Sequence, residues 1–238
     1  MRLIVESGVE AAAQRAAATI AAAAAEAIAA RRQFTLALSG GRTPERMLVR
    51  LARAAIDWTR VRLYQVDERI APPGDPARSL TQLTACLLDR LDARPAFEAM
   101  PVDEGDLQTA ARRYGETLPP RFDLIHLGLG ADGHTASLVP GDPVLDARDR
   151  VGITLPYQGH RRMTLTYPVL DAARQVLYLV TGADKRHALE RLLASDPGIP
   201  AGRVAGASVL VVAPRAPAQQ EPDAPARRKP SGPASWGG

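Results

Sequence analysis

The sequence predicts an α/β protein in which a mostly parallel sheet carries helices on both faces. Short apolar runs alternate with amphipathic stretches over most of the 238 residues. Runs such as FDLIHLGLG and QVLYLVTG are nearly continuous in apolar residues, which is typical of strands that are covered on both faces. The repeated order of strand, helix and strand favours parallel pairing, because parallel neighbours need a crossover connection.

These patterns place the elements in chain order. Strands are expected near 2–5, 34–38, 61–66, 122–128, 163–166, 175–181 and 207–212. Helices are expected over 8–31, 44–55, 78–92, 106–118 and 184–195. The first helix is rich in alanine, the best helix former, and its Arg15 and Glu26 argue against a membrane span. The segment 140–162 is rich in Gly, Pro and Arg and long for a connection, which makes it a candidate part of a site.

Residues 1–213 are expected to form a single α/β domain, and residues 214–238 a basic tail rich in proline and alanine. The tail has six prolines in 25 residues and cannot build a core, so it is expected to be disordered. Four basic and two acidic residues in the tail leave the body only +2 of the net charge of +4. Because the body has no dense Lys/Arg stripe, nucleic-acid binding is not expected.

The single cysteine, Cys86, excludes an intramolecular disulfide and a cysteine-based zinc cluster. It lies in the apolar stretch LTACLLDRL, where a small buried hydrophobe is favoured over a nucleophile. One cysteine suits a reducing compartment, and MRLIVESGVE lacks the apolar core of a signal peptide. A cytoplasmic protein without membrane contact is therefore expected.

Ligands of open parallel sheets bind beyond the carboxyl ends of the strands, so candidate site residues are sought at the strand exits. The first exit is LALSGGRTPERML, where two glycines let the backbone approach a ligand. Thr43 is the expected N-cap of the next helix and Pro44 its first residue, and free N–H groups at a helix N-terminus attract anions. An ordinary tight turn explains the glycines alone, but the flanking hydroxyls favour a phosphate site. Its candidate contacts are Ser39, Gly40, Gly41, Arg42 and Thr43.

The second exit, VRLYQVDERIAPPGD, ends in Asp67, Glu68 and Arg69. Carboxylates and a guanidinium at a strand end can hold sugar hydroxyls or stabilise developing negative charge. Taken alone, a solvated charge cluster is the favoured interpretation, because charge triplets are common.

The third exit, GLGADGHTASL, contains the G-x-G-x-x-G pattern of a dinucleotide-binding turn. That pattern needs a substantial helix after the glycines, and Pro140 and Pro143 stop a helix after little more than one turn. The glycines instead favour a tight loop that presents Asp132 beside His134. Histidine, with an unperturbed pKa near 6.5, can take a proton from water at neutral pH, and the carboxylate can orient it. The other histidines, His126, His160 and His187, are interpreted as structural.

The fourth exit combines two segments, GHRRMTLTYPVL and LYLVTGADKRHALERL. Arg161 and Arg162 precede a threonine-rich strand, and Lys185 follows another strand at the start of a helix. A cation there opposes the helix dipole, which indicates a nearby anion. A lysine merely solvated at a turn is an equal alternative.

Taken together in this order, these segments resemble the 6-phosphogluconolactonase family. The matching pieces are LALSGGRTP, VDERIAPPGDPARSL, FDLIHLGLGADGHTASLVPG, RRMTLTYPVL and LVTGADK, and the match spans about residues 1 to 212. The resemblance implies a fold shared with glucosamine-6-phosphate deaminases and ribose-5-phosphate isomerases, no metal or other cofactor, and hydrolysis of 6-phospho-D-glucono-1,5-lactone to 6-phospho-D-gluconate in the oxidative pentose phosphate pathway.

The resemblance also implies roles for the candidate residues. The histidine of the D-G-H motif transfers the proton, the D-E-R arginine lies in the site, and one of Arg161 and Arg162 binds phosphate together with the lysine of T-G-x-x-K. The candidate catalytic residues are His134, Asp132, Arg69 and Asp67. The candidate phosphate contacts are Ser39, Gly40, Gly41, Arg42, Thr43, Arg162 and Lys185. The chain departs from the family pattern at Val139, at Ser79-Leu80 and in PYQGHRR, which puts substrate contacts in doubt more than the reaction.

Two other functions remain open at this point. A deaminase or isomerase on the same scaffold would carry an Asn-Glu-Pro sequence after the D-G-H motif, where this chain has SLVPGDP, and a tyrosine in place of Arg69. A non-catalytic sugar-phosphate sensor would need a DNA-binding segment, and no helix-turn-helix candidate precedes the body. The expected partner is a small phosphosugar, and a monomer or weak homo-oligomer is expected.

Overall fold

The computed structural model describes residues 1–206 and 209–214, apart from the side chains of residues 42, 209 and 210. The strands are β1 Arg2–Glu6, β2 Phe34–Leu38, β3 Val61–Gln65, β4 Asp67–Arg69, β5 Ala96–Glu98, β6 Leu124–Leu127, β7 Val151–Ile153, β8 Arg162–Leu165, β9 Gln175–Leu179 and β10 Val209–Pro214. The helices are α1 Val9–Arg31, α2 Arg42–Leu51, α3 Ser79–Cys86, α4 Leu107–Thr117, α5 Tyr167–Ala172 and α6 Arg186–Leu193. The tail predicted to be disordered lies, from residue 215 onward, outside the described residues, as do residues 207 and 208 of the last predicted strand.

The main sheet has the strand order β1-β10-β9-β6-β2-β3-β5, and all its described pairings are parallel. Helices α1, α2 and α3 pack on one face, around a cluster that includes Leu36 and Leu124. Helices α4, α5 and α6 lie on the other, where Ile125 and Leu127 join a second cluster. The predicted fold class is confirmed. Because every strand runs the same way, the carboxyl ends of β2, β3, β6 and β9 meet at one edge.

A second, antiparallel sheet of order β4-β8-β7 lies beside the main sheet. The strand expected near 163–166 belongs to it rather than to the parallel sheet, and the strand expected over 61–66 ends at Gln65 and resumes in β4. Strand β7 lies inside 140–162, where a loop was expected. Strands of three residues carry too little alternation for the sequence to reveal them.

The helices differ from the predictions mainly at their ends. Helix α2 begins at Arg42 with Gly41 as its N-cap, so Thr43 is not the cap and Pro44 is not the first residue. The helix expected over 78–92 ends at Cys86, and a short 3₁₀ turn over Leu88–Arg90 follows it. The six-residue α5 was not predicted. Among the described helices, none has the length and hydropathy needed to cross a bilayer.

Cys86 is buried at the end of α3, 8% exposed, as predicted for a small hydrophobe. Burial, and to a lesser extent nearby Glu45, raises the pKa of its thiol above the ordinary value. The thiolate that a nucleophile would need is therefore disfavoured.

Candidate active site

A cavity of about 240 Å³ lies at the carboxyl edge of the main sheet, with the small sheet as its opposite wall. It is lined by Ser39, Gly40, Gly41, Thr43, Pro44, Asp67, Arg69, Ser79, Gly128, Leu129, Gly130, His134, Ala136, Ser137, Tyr157, Gln158, Arg162 and Lys185. All four strand exits singled out in the sequence contribute to this lining. Segments more than a hundred residues apart therefore converge on one space.

The loop after β6 holds Asp132 and His134 side by side. The Asp132 Oδ1 atom lies 2.6 Å from His134 Nδ1 and accepts a hydrogen bond from the His134 backbone N–H at 3.1 Å. The loop closes on itself through the Gly130 N–H, which donates to the His134 carbonyl at 2.8 Å. A Cβ atom on Gly130 would fall 2.0 Å from His134 Nδ1, and Gly133 has a φ of +85°. The G-x-G-x-x-G spacing thus serves a tight turn around this pair.

The electrostatics of the pair favour a charged Asp132. Burial raises the pKa of its carboxyl, but hydrogen bonds from the His134 backbone, the imidazole and the Tyr157 hydroxyl outweigh burial, so the pKa lies below its ordinary value. The carboxylate fixes the imidazole through Nδ1, and Nε2 is then the nitrogen that can exchange a proton with a ligand. His134 is about one quarter exposed and lines the cavity.

Two arginines face each other on the wall made by the small sheet. Arg69 and Arg162 are directly paired residues of the antiparallel β4–β8 ladder. Like charges in such a pair are destabilising. Arg162 is only 6% exposed, and within the described residues it has no carboxylate within salt-bridge distance. Burial, followed by repulsion from Arg69, lowers the pKa of Arg162. Attraction from Asp67, which lies beyond salt-bridge distance, opposes this shift. A buried cation without a close ion pair favours an anion nearby.

The neighbouring Arg161 does not line the cavity. Its Nε donates to the Thr154 carbonyl at 3.3 Å, which turns the side chain along the hairpin. Of the two alternatives left open by the sequence, Arg162 is therefore the one that reaches the cavity. Asp67 also lines the cavity and accepts a hydrogen bond from the Ser137 hydroxyl at 2.7 Å.

The glycine turn after β2 forms another part of the wall, with different contacts from those expected. The Gly41 N–H, expected to be free for an anion, donates to Gln82 Oε1 at 2.6 Å. The Ser39 hydroxyl donates to the His126 carbonyl at 3.1 Å, and the Thr43 hydroxyl lies 3.1 Å from the Thr181 hydroxyl. The Arg42 side chain lies outside what the structure describes.

Gly40 is required by close packing against α3. A Cβ atom at this position would lie 2.6 Å from both Cβ and Oγ of Ser79. Ser79, at the start of α3, thus lies directly against the glycine turn. Gln82, one helical turn later, accepts the hydrogen bond from the Gly41 N–H. The shape of the turn depends on α3, which the sequence did not connect with it.

Lys185 lines the cavity from the end of a 3₁₀ turn over Ala183–Lys185 that follows β9. Its Nζ lies 3.0 Å from Asp184 Oδ2. Helix α6 begins one residue later, so the lysine precedes the helix instead of lying within its first turn.

Four polar residues that line the cavity were not predicted as site residues: Ser79, Ser137, Tyr157 and Gln158. The available signal was the unusual length of 140–162, which pointed to the segment but not to its tyrosine. Of the histidines read as structural, His126 is fully buried and His187 is exposed on α6. Among the described residues, no group of three or more His, Cys, Asp and Glu side chains is arranged to hold a metal ion.

Residues 7–212 match the family described as "Glucosamine-6-phosphate isomerases/6-phosphogluconolactonase". The chain is 37% identical over 194 residues to a 6-phosphogluconolactonase of Synechocystis sp., covering 77% of this chain and 81% of that protein. It is 35% identical over 215 residues to a 6-phosphogluconolactonase of Streptomyces coelicolor, covering 81% and 82%.

Solved structures show the same fold. A 6-phosphogluconolactonase from Shewanella baltica superposes with a TM-score of 0.82 at 25% identity, covering 90% of this chain and 97% of that one. A monomeric glucosamine-6-phosphate deaminase superposes with a TM-score of 0.81 at 20% identity, covering 90% and 98%. Because both activities occur on this fold, the fold alone does not separate them.

Proposed function

This chain belongs to the family of glucosamine-6-phosphate isomerases and 6-phosphogluconolactonases, and from that premise we infer that it is a 6-phosphogluconolactonase. It is a carboxylic ester hydrolase that opens 6-phospho-D-glucono-1,5-lactone to 6-phospho-D-gluconate, a reaction of the pentose phosphate pathway. The observation that carries the mechanism is the convergence on one cavity of the Asp132–His134 pair and two guanidinium groups that form no salt bridge among the described residues.

In the proposed mechanism, the substrate phosphate is held by Arg162, Lys185 and the turn of residues 39–43. The buried position of Arg162 and its lack of a carboxylate partner among the described residues support this assignment, since a phosphate would supply the missing charge. Binding energy from the phosphate then orients the lactone, which converts binding into a lower barrier for the chemical step.

His134 acts as the general base in this proposal. With Nδ1 held by Asp132, its Nε2 accepts a proton from water as the water oxygen attacks the lactone carbonyl carbon. The tetrahedral intermediate carries an oxyanion, which Arg69 or the N–H groups of the glycine loop stabilise. When the bond from that carbon to the ring oxygen breaks, the imidazolium returns its proton to the ring oxygen, and no covalent enzyme intermediate is required.

Asp67 and Asp132 have positioning roles in this scheme. Asp132 selects the tautomer and the orientation of the imidazole. Asp67 is held by the Ser137 hydroxyl and lies on the same face of β4 as Arg69, so it can orient that guanidinium or accept a sugar hydroxyl. The proposed partner is a small phosphosugar lactone. Cytoplasmic location and a monomeric or weakly associated state stay predictions.

The test is a lactonase assay with freshly generated 6-phosphogluconolactone, with the spontaneous rate subtracted. His134→Ala should lower kcat by at least about 10²-fold, the usual scale for a general base, while the affinity for 6-phosphogluconate is retained. His187→Ala, which changes an exposed histidine of α6, is the matched control and should keep wild-type kcat.

Equal kcat in the His134 variant would remove that residue from the mechanism. A wild-type protein that leaves the lactone rate unchanged but releases ammonia from glucosamine 6-phosphate would instead be a deaminase. Binding of 6-phosphogluconate without turnover of either substrate would indicate a non-catalytic sugar-phosphate module.

A further inference from the structure

A small hairpin within residues 151–165 carries Tyr157 over the cavity. Tyr157 and His160 pair across its tip, with backbone hydrogen bonds of 2.9 and 3.3 Å. The two residues between them, Gln158 and Gly159, have φ values of +51° and +83°. Positive φ at both central positions is the geometry of a tight two-residue turn that matches the twist of its strands. The tip is therefore a defined structure that fixes where the tyrosine lies.

The Tyr157 hydroxyl contacts the proton-transfer pair. It donates to Asp132 Oδ2 at 3.0 Å, while the other oxygen of that carboxylate binds His134 Nδ1. The tyrosine ring meets the imidazole edge to face, with centroids 5.5 Å apart and planes at 69°. Burial, and then the hydrogen bond to Asp132, raises the pKa of Tyr157, so the phenol keeps its proton and remains a donor.

The ring of the same tyrosine supports a proposed phosphate-binding cation. The Arg162 guanidinium carbon lies 5.0 Å from the Tyr157 ring centroid, within the range of a cation–π contact. Arg162 forms no salt bridge among the described residues, and this ring contact restrains its guanidinium. One side chain thus contacts both halves of the site.

We propose that Tyr157 is a positioning residue that couples the Asp132–His134 pair to Arg162. This inference rests on the lactonase function proposed above. The hydroxyl restrains the carboxylate that orients the general base, and the ring restrains the cation that receives the phosphate. The hydroxyl governs the chemical step, and the ring governs substrate binding.

The two parts of the side chain can be separated by substitution. Tyr157→Phe keeps the ring on Arg162 and removes only the hydroxyl. Asp132 then loses one of its donors and swings more freely, so kcat should fall about three- to ten-fold with KM within about two-fold of wild type. Tyr157→Leu also removes the ring, and KM should rise by about a further five-fold.

A pH profile distinguishes positioning from a loss of structure. Without the Tyr157 hydroxyl, the Asp132 carboxylate accepts one hydrogen bond fewer. Its negative charge then interacts more strongly with the imidazolium of His134, which stabilises the protonated base. The acidic limb of kcat/KM should therefore move to higher pH in Tyr157→Phe, by about half a unit. The other charged groups on the cavity wall are Asp67, Arg69, Arg162 and Lys185. The substitution keeps all four, and the phenylalanine ring keeps the contact with Arg162.

The experiment compares wild type, Tyr157→Phe, Tyr157→Leu and the control Tyr167→Phe from pH 5.5 to 9. Tyr167 donates to the Pro200 carbonyl at 2.9 Å away from the cavity, so its variant should keep wild-type kcat, KM and pH profile. Proton NMR titration of His134, assigned with His134→Gln, follows the base without relying on turnover and should show the same upward displacement in Tyr157→Phe.

The outcomes separate this inference from the function on which it rests. A wild-type protein without lactonase activity would overturn both. An active wild type whose Tyr157→Phe variant keeps wild-type kcat, acidic limb and NMR titration would overturn the coupling alone. A Tyr157→Leu variant with unchanged KM would remove Arg162 from the role of the tyrosine.

Discussion

Acid should destabilise this protein through one buried histidine. His126 lies in β6, beside the strand that leads into the proposed phosphate turn, and is fully buried. Both of its ring nitrogens lack a hydrogen-bond partner within the described residues. The side chain shares a face of the strand with Leu124, which belongs to the apolar cluster under α1 and α2. Protonation would place an uncompensated charge in that cluster.

The magnitude follows from the pKa difference between the folded and unfolded chain. Burial lowers the pKa of His126 to about 3, from an ordinary value of 6.5. Between these values the unfolded chain binds one proton more than the folded chain, so stability falls as the pH drops below 6.5, by about 1.4 kcal/mol per unit. At pH 5.0 the loss is about 2 kcal/mol, a substantial part of the 5–15 kcal/mol typical of a domain.

The assay is urea unfolding at pH 7.5 and pH 5.0. His126→Leu should lose about 2 kcal/mol less than wild type between the two pH values, because it has no proton to take up. At pH 7.5 the variant should be at least as stable as wild type, since a buried group without partners is replaced by an apolar one. His187→Gln, which changes an exposed histidine, should keep the wild-type pH dependence.

Equal losses in the free energy of unfolding of His126→Leu and wild type on acidification would refute a role for His126. That result would mean that the imidazole is solvated or paired in the folded protein at acid pH. A loss in His187→Gln that is as small as the loss in His126→Leu would show that the effect is general to histidine and not a consequence of burial.

Four further variants, one of them a control, test the residues of the site. Arg162→Gln should raise KM by about 10- to 100-fold, which corresponds to the loss of a charge-assisted hydrogen bond. Arg161→Gln, the control, should change KM by less than about two-fold. Similar KM values in both variants would contradict the assignment of Arg162 to the phosphate. Asp132→Asn should lower kcat about 10-fold or more. It should also move the acidic limb of kcat/KM to lower pH, because the imidazolium of His134 loses its carboxylate partner. An acidic limb at the wild-type pH would argue against the coupling of Asp132 to His134. Gly40→Ala forces a Cβ against Ser79, so it should lower the free energy of unfolding in urea by about 1–3 kcal/mol and raise KM. Wild-type stability and KM would show that the turn adapts.

The sequence predicted the main sheet because each of its long strands carries a complete local signal. Strand β2 has the predicted bounds, 34–38, and is buried along its whole length. Such a strand must be covered on both faces, so its continuous apolar run is enough to predict that it is buried. The alanine-rich α1 was likewise predicted within one residue at its start, since propensity and pattern agree over 23 residues.

The remaining features depend on contacts between distant residues. Nothing local in PYQGHRR reveals that Tyr157 reaches Asp132, 25 residues earlier in the chain. The N-cap of α2 was misassigned for the same reason: Thr43 is a good local cap, but its hydroxyl pairs with Thr181 instead. Gln82 gave no signal because its acceptor role depends on α3 packing against the glycine turn.

The charge triplet after β3 shows why the sequence alone left the site ambiguous. As β4 is extended, Asp67 and Arg69 face the cavity while Glu68 points the other way and is fully buried. The Glu68 carboxylate accepts a hydrogen bond from Gln65 Nε2 at 2.8 Å and others from the first two backbone N–H groups of α3 at 2.7 and 2.8 Å.

Because side chains alternate between the two faces of β4, the three adjacent charges have two separate roles. The outer two form the wall that faces the substrate in the proposed mechanism, and the middle one anchors the helix that presses on the glycine turn through Ser79. A solvated cluster would need none of these partners, whereas a buried carboxylate is tolerated only when its oxygens are hydrogen-bonded. The satisfied acceptors of Glu68 therefore argue that the triplet is a built part of the site, and that the arginine wall and the glycine turn are held in place by the same three residues.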